Sequence, residues 1–377
     1  MEIEQRHWTA ATGWTPAACR LGPSAQLVFV FAGTSVLRDR ARFDDIRRSY
    51  PKARLLGCST AGEICGTQVF DDSLVATAIR FARTTLEGAQ AEIRHADESA
   101  SCGERLTQAL PTARLAHVLV ISDGITVNGS ELVRGMLKRL PAGVQVTGGL
   151  SGDGERFQET LVFLDSVPAP HRVAALGFYG SQLKVGYGSL GGWDSFGPER
   201  LITRSHGNVL YELDGQPALL LYTKYLGEHA AGLPATGLLF PLSVRMAEGR
   251  EVVRTILSID EGRQSMTFAG DVPEGAYARL MKANFDRLVD GAQGAAKTCC
   301  EALGARSPEL AILISCVGRK LVLKQRTEEE IEAVRSILGD QAVLTGFYSY
   351  GEICPVAPHA SCELHNQTMT ITTFTEG

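Results

Sequence analysis

The sequence of 377 residues lacks several features that mark well-known classes of protein. It has no run of five basic residues, and 37 Lys and Arg stand against 42 Asp and Glu, which gives a formal net charge of −5. Binding to duplex phosphates requires a basic surface, so nucleic acid is not an expected partner. The apolar runs, such as Leu27–Ala32 and Ala311–Ser315, are far shorter than the ~20 residues that span a bilayer. We therefore expect no membrane insertion.

The cysteines do not fit a disulfide framework. Their number, nine, is odd, and the chain is much longer than the small secreted domains that disulfides stabilise. The N-terminal segment Met1–Trp8 is polar and lacks the apolar centre of a signal peptide. These features predict a cytoplasmic protein with reduced thiols. With 44% apolar residues, the chain is also expected to bury cores in two or three units.

Sequence signatures of common enzymes are missing as well. The chain has no G-x-x-x-x-G-K-[ST] motif and no G-x-G-x-x-G after its first strand. A nucleophile elbow needs glycine two residues after its serine, but Ser59 is followed by Ala61 at that position. We therefore expect a protein without catalytic activity. An unrecognised α/β enzyme is the minor alternative.

A strand–helix–strand pattern occurs three times. Three apolar runs without alternation are typical of strands that are buried on both faces: Leu27–Gly33, His117–Gly124 and Leu310–Gly318. Each is followed by a helical pattern, at Leu37–Tyr50, Ser130–Leu140 and Thr327–Leu338, and then by a short strand that ends in a glycine-rich turn. In chain order, these first, second and third turns are Gly57–Cys65, Gly148–Gly154 and Gly346–Cys354. The glycine that ends the first strand and the first glycine of the turn are 24, 24 and 28 residues apart in the three modules (33 to 57, 124 to 148 and 318 to 346). This length predicts a right-handed βαβ crossover in each module.

The rest of the chain completes the predicted architecture. Ser130 is the expected N-cap of the second helix, and Thr327 with Glu330 predicts a capping box at the third. Between the second and third modules we expect helices at Gln216–Leu226 and Asn284–Leu303 and strands at Leu238–Val244 and Val252–Ile259. The sequence therefore predicts an α/β fold of two related lobes with repeated βαβ modules and mixed sheets. The predicted division is an arm at 1–24, then domains at 25–206 and 207–377.

Glycine-rich turns at the carboxyl ends of parallel strands are where α/β sheets place ligands. We expect the turns and the C-terminal segment to line one cleft, through Gly57, Ser59, Gly62, Gly148, Gly149, Trp193, Arg319, Tyr348, Tyr350, Glu352 and Asn366. Glu63 and Glu352 occupy equivalent repeat positions, and for them hydrogen bonds to backbone amides inside the turns are the favoured role. Cys354, His359, Cys362 and His365 could supply zinc ligands, but ordinary packing is favoured because their spacing is atypical.

The turns and the C-terminal segment resemble the FIST sensory domain, which has N- and C-terminal parts. The N-terminal part is similar at Leu55–Ile64 (LLGCSTAGEI), Ile121–Gly124 (ISDG) and Val146–Phe157 (VTGGLSGDGERF). The C-terminal part is similar at Gly207–Gly227, Ile314–Lys320 (ISCVGRK), Gly346–Ile353 (GFYSYGEI) and Leu364–Phe374 (LHNQTMTITTF). The resemblance implies a non-catalytic sensor of small ligands, amino acids among them. Arg319 is the residue expected to pair with a ligand carboxylate or a haem propionate.

The resemblance further implies a stand-alone sensor that acts through a separate protein. Similar stand-alone FIST proteins bind haem, respond to nitric oxide and regulate a histidine kinase in two-component or cyclic-di-GMP signalling. His365 in the LHNQT motif is the first candidate for the axial iron ligand, His206 in RSHGN the second and Cys354 the third. The alternative is a sensor of amino acids or another small polar ligand without haem. A homodimer is compatible with either alternative.

Overall fold

The first module occupies the N-terminal quarter of the computed structural model, which describes residues 1–246, 249–304, 306–355 and 360–377. Its elements are β1 (Glu2–Thr9), β2 (Gly13–Thr15), β3 (Leu27–Ala32), α1 (Thr34–Arg38), α2 (Arg40–Ser49), β4 (Arg54–Ser59), β5 (Glu63–Cys65), β6 (Gln68–Phe70) and β7 (Leu74–Arg80). The helix predicted at Leu37–Tyr50 is divided in two. Asp39 leaves the helical conformation and caps α2, because its carboxylate accepts a hydrogen bond from Ala41 N.

The second module follows with the same order of strands and a capped helix. Its elements are β8 (Thr85–Glu92), α3 (Ser99–Gln108), β9 (Leu115–Ser122), α4 (Gly129–Leu137), β10 (Gln145–Leu150), β11 (Val162–Leu164) and β12 (Arg172–Tyr179). The prediction that Ser130 caps α4 is wrong. Asn128 is the N-cap, because its Oδ1 accepts hydrogen bonds from the backbone N–H groups of Ser130 and Glu131.

The middle of the chain is mostly antiparallel sheet. It contains β13 (Leu183–Leu190), β14 (Trp193–Ser195), β15 (Arg200–His206), β16 (Val209–Leu213), β17 (Gln216–Pro217), α5 (Ala218–Leu226), β18 (Leu242–Arg245), β19 (Glu251–Arg254), β20 (Ile256–Asp260), β21 (Ser265–Phe268) and β22 (Tyr277–Ala283). The strand predicted from Leu238 begins only at Leu242, because residues 235–239 form a 3₁₀ turn. The strand predicted at Val252–Ile259 is interrupted at Thr255.

The third module completes the chain with α6 (Phe285–Leu303), β23 (Leu310–Cys316), α7 (Val317–Leu323), α8 (Thr327–Leu338), β24 (Val343–Ser349), β25 (Gly351–Pro355), β26 (Cys362–His365) and β27 (Met369–Glu376). The predicted capping box is wrong. Thr327 Oγ1 donates to the Lys324 carbonyl, and the Glu330 carboxylate is buried against Arg319 instead of reaching back to the helix start.

Among the described residues, the strands form three six-stranded sheets and one sheet of nine strands. Each six-stranded sheet is built on the parallel pair of one module: β3 with β4, β9 with β10, and β23 with β24. The returning strand, β7, β12 or β27, lies antiparallel on the other side of the first strand. The predicted α/β class with repeated βαβ modules and mixed sheets is confirmed. Residues 1–24, the predicted arm, supply β1 and β2 to the first sheet.

The three six-stranded sheets share one hydrophobic core between their inner faces. Each module contributes alternate residues of its first strand to this core: Phe29 and Phe31, Leu119 and Ile121, and Ile312 and Ile314. The opposite face of β3 packs against α2, where Val28 and Val30 meet Phe43 and Ile46. Because both faces are covered, these strands are apolar at successive positions instead of alternating.

Each glycine-rich turn carries the chain from the sheet of its own module to the sheet of another. The strand that follows the first turn, β5, pairs with β24 of the third module. After the second turn, β11 pairs with β4 of the first module, and after the third turn, β25 pairs with β10 of the second. The three modules therefore exchange strands in a closed cycle. No helix in the described part of the chain is long and apolar enough to cross a membrane.

Candidate functional site

The cyclic exchange of strands brings the three glycine-rich turns into direct contact. Two backbone hydrogen bonds join the first turn to the third: Ala61 N to Tyr348 O (2.9 Å) and Tyr348 N to Gly62 O (2.8 Å). Gly152 N binds Ser59 O at 3.1 Å and joins the second turn to the first. Tyr350 N binds Leu150 O at 3.2 Å and joins the third turn to the second. Because every turn is held by its neighbours, their backbones form one connected framework. The prediction that the three turns meet at one place agrees with these contacts.

Three glycines at equivalent positions allow the paired strands to approach closely. A Cβ atom at Gly57 would lie 2.1 Å from the Val30 carbonyl oxygen, and one at Gly148 would lie 1.8 Å from the oxygen of Val120. At Gly346 the corresponding distance, to the oxygen of Leu313, is 1.8 Å. Gly57, Gly148 and the neighbouring Gly149 are thus packing positions inside the sheets, which corrects their predicted place on a cleft wall.

Two buried carboxylates hold the first and third turns in the same way. Glu63 accepts hydrogen bonds from the Thr60 hydroxyl and from Ser73 through both N (3.0 Å) and Oγ (2.7 Å). Glu352 accepts from Ser349 Oγ (2.6 Å) and from Thr368 through N (3.2 Å) and Oγ1 (2.9 Å). Both carboxylates bind backbone amides, but these amides belong to Ser73 and Thr368, outside the turns; inside the turns the donors are the hydroxyls of Thr60 and Ser349. Glu352 is therefore a support of its turn, not a residue that faces a ligand.

Burial changes the acidity of both carboxyl groups. Desolvation raises the pKa of Glu63 from about 4.5 to about 7, although the hydrogen bonds from Thr60 and Ser73 counteract part of this effect. For the same reason the pKa of Glu352 is raised to about 8. Both groups are therefore ionised less readily in the folded chain than in the unfolded chain, where a pKa near 4.5 applies.

We expect the double variant Glu63→Gln/Glu352→Gln to lose part of the pH dependence of stability. A raised folded-state pKa stabilises the folded chain, and this contribution is complete below about pH 4.5. It is lost as the pH rises through 7 for Glu63 and through 8 for Glu352. For Glu63 alone the loss of stability is about 3 kcal/mol. A glutamine amide can donate to Thr60 and accept from Ser73 at every pH. The measurement is urea unfolding at pH 5 and pH 8.

The control for this measurement is Glu332→Gln on the exposed side of α8. The wild type and the control should lose more stability than the double variant between the two pH values. Equal losses in all three proteins would show that the two buried carboxyl groups do not titrate in this range.

A cavity of about 660 Å³ lies where the first and second turns meet the start of α7. This volume falls within the ~300–1,000 Å³ of ordinary small-molecule sites. Its wall comes from Gly33 after β3 and from five further segments: 60–63 of the first turn, 71–72 before β7, 154–156 at the end of the second turn, 235–239, and 317–327 at α7 and beyond. We call it the first cavity. Of the residues predicted for the cleft, Gly62 lies on its wall.

Charged groups of both signs line the first cavity. The positive groups are Arg156, Lys320 and Lys324, and the acidic ones are Glu63, Asp71, Asp72 and Glu155. Apolar surface comes from Ala61, Ala235, Leu239, Val317 and Leu321. The arrangement offers separate partners for an anionic and a cationic group on one small molecule, together with apolar contact.

Lys320 is the central cation of this cavity. Its Nζ donates to the Ala61 carbonyl at 2.9 Å, pairs with Asp71, and lies 5.7 Å from the centre of the Tyr348 ring. A Cβ at Gly62 would lie 2.6 Å from this Nζ, and the φ of Gly62 is +141°, so the ammonium position depends on glycine there. The side chain of Lys320 is 17% exposed, which leaves it accessible from the cavity.

Lys320, and not the predicted Arg319, lies on the wall of the first cavity. Arg319 is fully buried and its guanidinium binds Glu330 (Nη2 to Oε2, 2.7 Å), together with the carbonyls of Leu288 (2.7 Å) and Gly191 (3.2 Å). It has no free face for a ligand carboxylate, which corrects its predicted role. Lys320 was missed although it ends the same ISCVGRK motif.

The other residues predicted for the cleft are buried in the core and hold the framework together. Their hydrogen bonds are Ser59 Oγ to Gly152 O (2.8 Å), Trp193 Nε1 to Gln367 O (3.1 Å), Tyr348 OH to Glu330 Oε1 (2.7 Å), Tyr350 OH to Gly154 O (3.1 Å) and Asn366 Nδ2 to Tyr350 O (3.1 Å). These hydrogen bonds hold the turns and the segments next to them in place. Among the residues that the structure describes, none of these side chains is on the wall of the first cavity. Their predicted place on that wall is corrected accordingly.

The three candidate iron ligands lie apart from the first cavity. The Nε2 of His365 is 2.8 Å from the Cys354 carbonyl oxygen, and burial lowers the pKa of His365 to about 4. Cys354 is fully buried in β25, and burial raises the pKa of its thiol. His206 is exposed at the end of β15. These residues do not fit an iron porphyrin held in the first cavity.

The C-terminal cysteine and histidine residues form no metal site in the described part of the chain. His359 lies outside the described residues. Within the described residues, no three His, Cys, Asp or Glu side chains are placed to hold a metal ion. Cys362 instead contacts the Val146 carbonyl through its Sγ at 3.1 Å, which agrees with ordinary packing.

Similar proteins match most of the chain in sequence. The FIST N domain model matches residues 26–216, and the FIST C domain model matches residues 218–355. An uncharacterized protein of Methanocaldococcus jannaschii is 24% identical over 341 residues, which cover 83% of this chain and 64% of that protein. An uncharacterized protein of Mycobacterium tuberculosis is 25% identical over 358 residues, which cover 88% and 86%. The chain thus spans less than two thirds of the archaeal relative.

Two solved structures align with nearly the whole chain at low similarity. Cyanuric acid hydrolase from A. caulinodans aligns with a TM-score of 0.36 and 10% identity, over 100% of this chain and 98% of the hydrolase. A chorismatase aligns with a TM-score of 0.36 and 11% identity, over 99% and 98%. Likenesses at this level carry no information about the chemistry of this chain.

Proposed function

Because the chain belongs to the FIST family of signal-transduction sensor domains, we propose that it senses a small zwitterionic ligand of the amino-acid type. The observation that carries the proposal is the first cavity, where cations and carboxylates from separate parts of the chain surround about 660 Å³. Here the ammonium group of Lys320 and the carboxylates of Asp71 and Asp72 line one space.

In this proposal the ligand carboxylate binds near Lys320 and Lys324, and its ammonium group binds near Asp71 and Asp72. The Lys320–Asp71 ion pair joins α7 to the segment before β7, and both residues line the cavity. A zwitterion can insert between such a pair and give each ion a new partner, so the charges remain compensated. The apolar wall at Leu239 and Leu321 would contact the ligand side chain.

The position of the first cavity suggests how ligand binding is transmitted to a partner protein. Its wall joins segments of the first, second and third modules and the 235–239 turn, so a ligand would contact all of them together. A ligand that binds one arrangement of these segments better than another shifts their equilibrium by its difference in affinity. We propose that a separate signalling protein, such as a histidine kinase, responds to this shift. No catalytic step is assigned to the lining residues.

We expect one or more of the twenty common amino acids to raise the melting temperature of the wild-type chain. A ligand at 100 times its Kd adds about 2.7 kcal/mol to the stability of a single-site protein. Lys320→Met should abolish the rise, because it removes the cation opposite Asp71. The measurement is a thermal-shift screen against the amino acids one at a time.

The control is Lys297→Met on the exposed side of α6, which should respond as the wild type does. Asp71→Asn, at an exposed position, tests the ammonium partner without disturbing the core and should weaken the response. A wild-type chain whose melting temperature is the same with every amino acid would refute the proposed ligand class.

Haem binding and the response to nitric oxide rest on the family resemblance alone and stay predictions. An absorption spectrum tests them independently of the amino-acid proposal. A Soret band that saturates at one equivalent of haem and shifts on addition of nitric oxide would support a haem sensor. His365→Ala and His206→Ala would then identify the ligand, since the band of the responsible variant should change.

A further inference from the structure

A second cavity, of about 400 Å³, lies between α4, β19 and β26, and none of the described residues lines both cavities. Its wall carries three arginines, Arg134, Arg250 and Arg254, and two carboxylates, Asp271 and Glu363. The remainder of the wall is mostly apolar and includes two serines: Ser130, Val133, Leu137, Met246, Pro273, Ser361, Cys362 and Leu364. The cavity thus combines positive charge with apolar surface.

Arg254 is the unusual member of this wall, because it is a buried cation that forms no ion pair within the described part of the chain. The residue as a whole is only 3% exposed. Its guanidinium donates to backbone carbonyls: Nε to Asp271 O (2.8 Å), and Nη1 to Val253 O (3.1 Å) and Leu364 O (3.3 Å). Among the described residues, no carboxylate oxygen lies within 4 Å of Arg254, and its Nη2 has no hydrogen-bond acceptor. A buried charge in this state is costly unless an anion compensates it.

The two nearby carboxylates are committed to other groups. Asp271 accepts from Asn128 Nδ2 (2.7 Å) and from Arg134 Nη2 (3.0 Å), and Glu363 pairs with Arg250. Desolvation lowers the pKa of Arg254 to about 10, and Asp271 and Glu363 offset only part of this effect from a distance. The described carboxylates therefore compensate the charge of Arg254 only in part.

We propose that the second cavity binds an organic oxyanion, a phosphate monoester or a carboxylate with a small apolar body, and that Arg254 anchors the oxyanion. The unused Nη2–H groups are suited to an oxyanion, because guanidinium donates to phosphate and carboxylate in a fixed planar arrangement. A volume of about 400 Å³ exceeds what a bare phosphate needs. The apolar wall at Val133, Leu137 and Leu364 would hold the body of the ligand.

The competing explanation is that Arg254 is only a structural clamp. Its bonds to Val253, Asp271 and Leu364 connect β19, the segment before β22 and β26. A clamp of this kind would lower stability when it is removed, but it would not depend on any anion. Binding measurements therefore separate the two explanations where stability measurements alone do not.

The test is isothermal titration calorimetry with three probes: phenyl phosphate, benzoate and inorganic phosphate. We expect saturable one-site binding of phenyl phosphate or benzoate to the wild type, and the stronger of the two identifies the oxyanion. Inorganic phosphate should bind at least tenfold more weakly, because it lacks the apolar body. Arg254→Met should weaken binding at least tenfold, and Arg263→Met, at an exposed site away from the cavity, should have no effect.

Hydrogen–deuterium exchange and the Lys320→Met variant provide two further tests of the proposed site. If Arg254→Met does not fold, hydrogen–deuterium exchange of the wild type with the bound probe should show protection at 130–137, 250–254 and 361–364. Lys320→Met should bind the probe normally, so failure of the amino-acid proposal would not affect this one. Absence of binding to all three probes, unchanged affinity in a folded Arg254→Met, or protection elsewhere would overturn the inference.

Discussion

Arg319→Met is expected to lower the free energy of unfolding by about 3–5 kcal/mol, because it leaves the carboxylate of Glu330 buried without its counter-ion. Both side chains are 0% exposed, and Nη2 and Oε2 are 2.7 Å apart. Ser315 and Tyr348 also donate to Glu330, so the group is embedded in a buried network. Urea unfolding followed by circular dichroism measures the loss.

Two variants control for this interpretation. Arg326→Met removes a guanidinium that pairs with Asp286 and Glu329 on the surface, and it should change stability much less, because surface pairs are weak. The double variant Arg319→Met/Glu330→Met should be more stable than Arg319→Met, since no unpaired charge remains. A single variant as stable as the wild type would show that the pair does not hold α7 and α8 together.

Gly346→Ala is expected to destabilise the chain by about 3 kcal/mol, at the upper end of the range for overpacked sites. The added Cβ would lie 1.8 Å from the Leu313 carbonyl oxygen, a backbone atom that cannot move without separating β23 from β24. Gly57→Ala and Gly148→Ala should have comparable effects, since they meet Val30 and Val120 in the same way. Thermal and urea unfolding of the three variants tests the equivalence of the modules.

The control for the glycine series is Gly262→Ala, where the nearest atom to the added Cβ is the Asp260 side-chain oxygen at 3.4 Å. It should remain within about 0.5 kcal/mol of the wild type, as ordinary surface substitutions do. If Gly346→Ala and Gly262→Ala were equally stable, the close strand approach would not be the reason for glycine at the repeat positions.

The repeated modules could be predicted because their signals are local. Buried strands such as β3 and β23 are apolar at successive positions, and glycine follows each first strand. The exchange of strands could not be predicted. The strands that change sheets, β5, β11 and β25, contain three to five residues, and their partners lie in other modules. Such short segments carry too little pattern to specify a distant partner.

The residues that line the first cavity are mostly not those that the sequence predicts for the cleft. The meeting of the turns followed from their equivalent positions, but Arg319 and Lys320 are neighbours on α7 and have separate roles: one binds Glu330 in the core and the other lies on the cavity wall. A pattern on a helix of seven residues does not fix which side faces inward. Likewise, Thr327 and Glu330 matched a capping box, but the buried Arg319 determines the position of Glu330.

Hydrogen–deuterium exchange with and without the amino acid found by the thermal screen tests the central claim most directly. If the first cavity is the sensor site, protection should increase at 60–63, 71–72, 154–156, 235–239 and 317–324, which together line it. Lys320→Met should show no such increase, because its cavity lacks the central cation. Increased protection confined to other segments, such as 250–254 or 362–366, would contradict the claim that the joined turns form the ligand site.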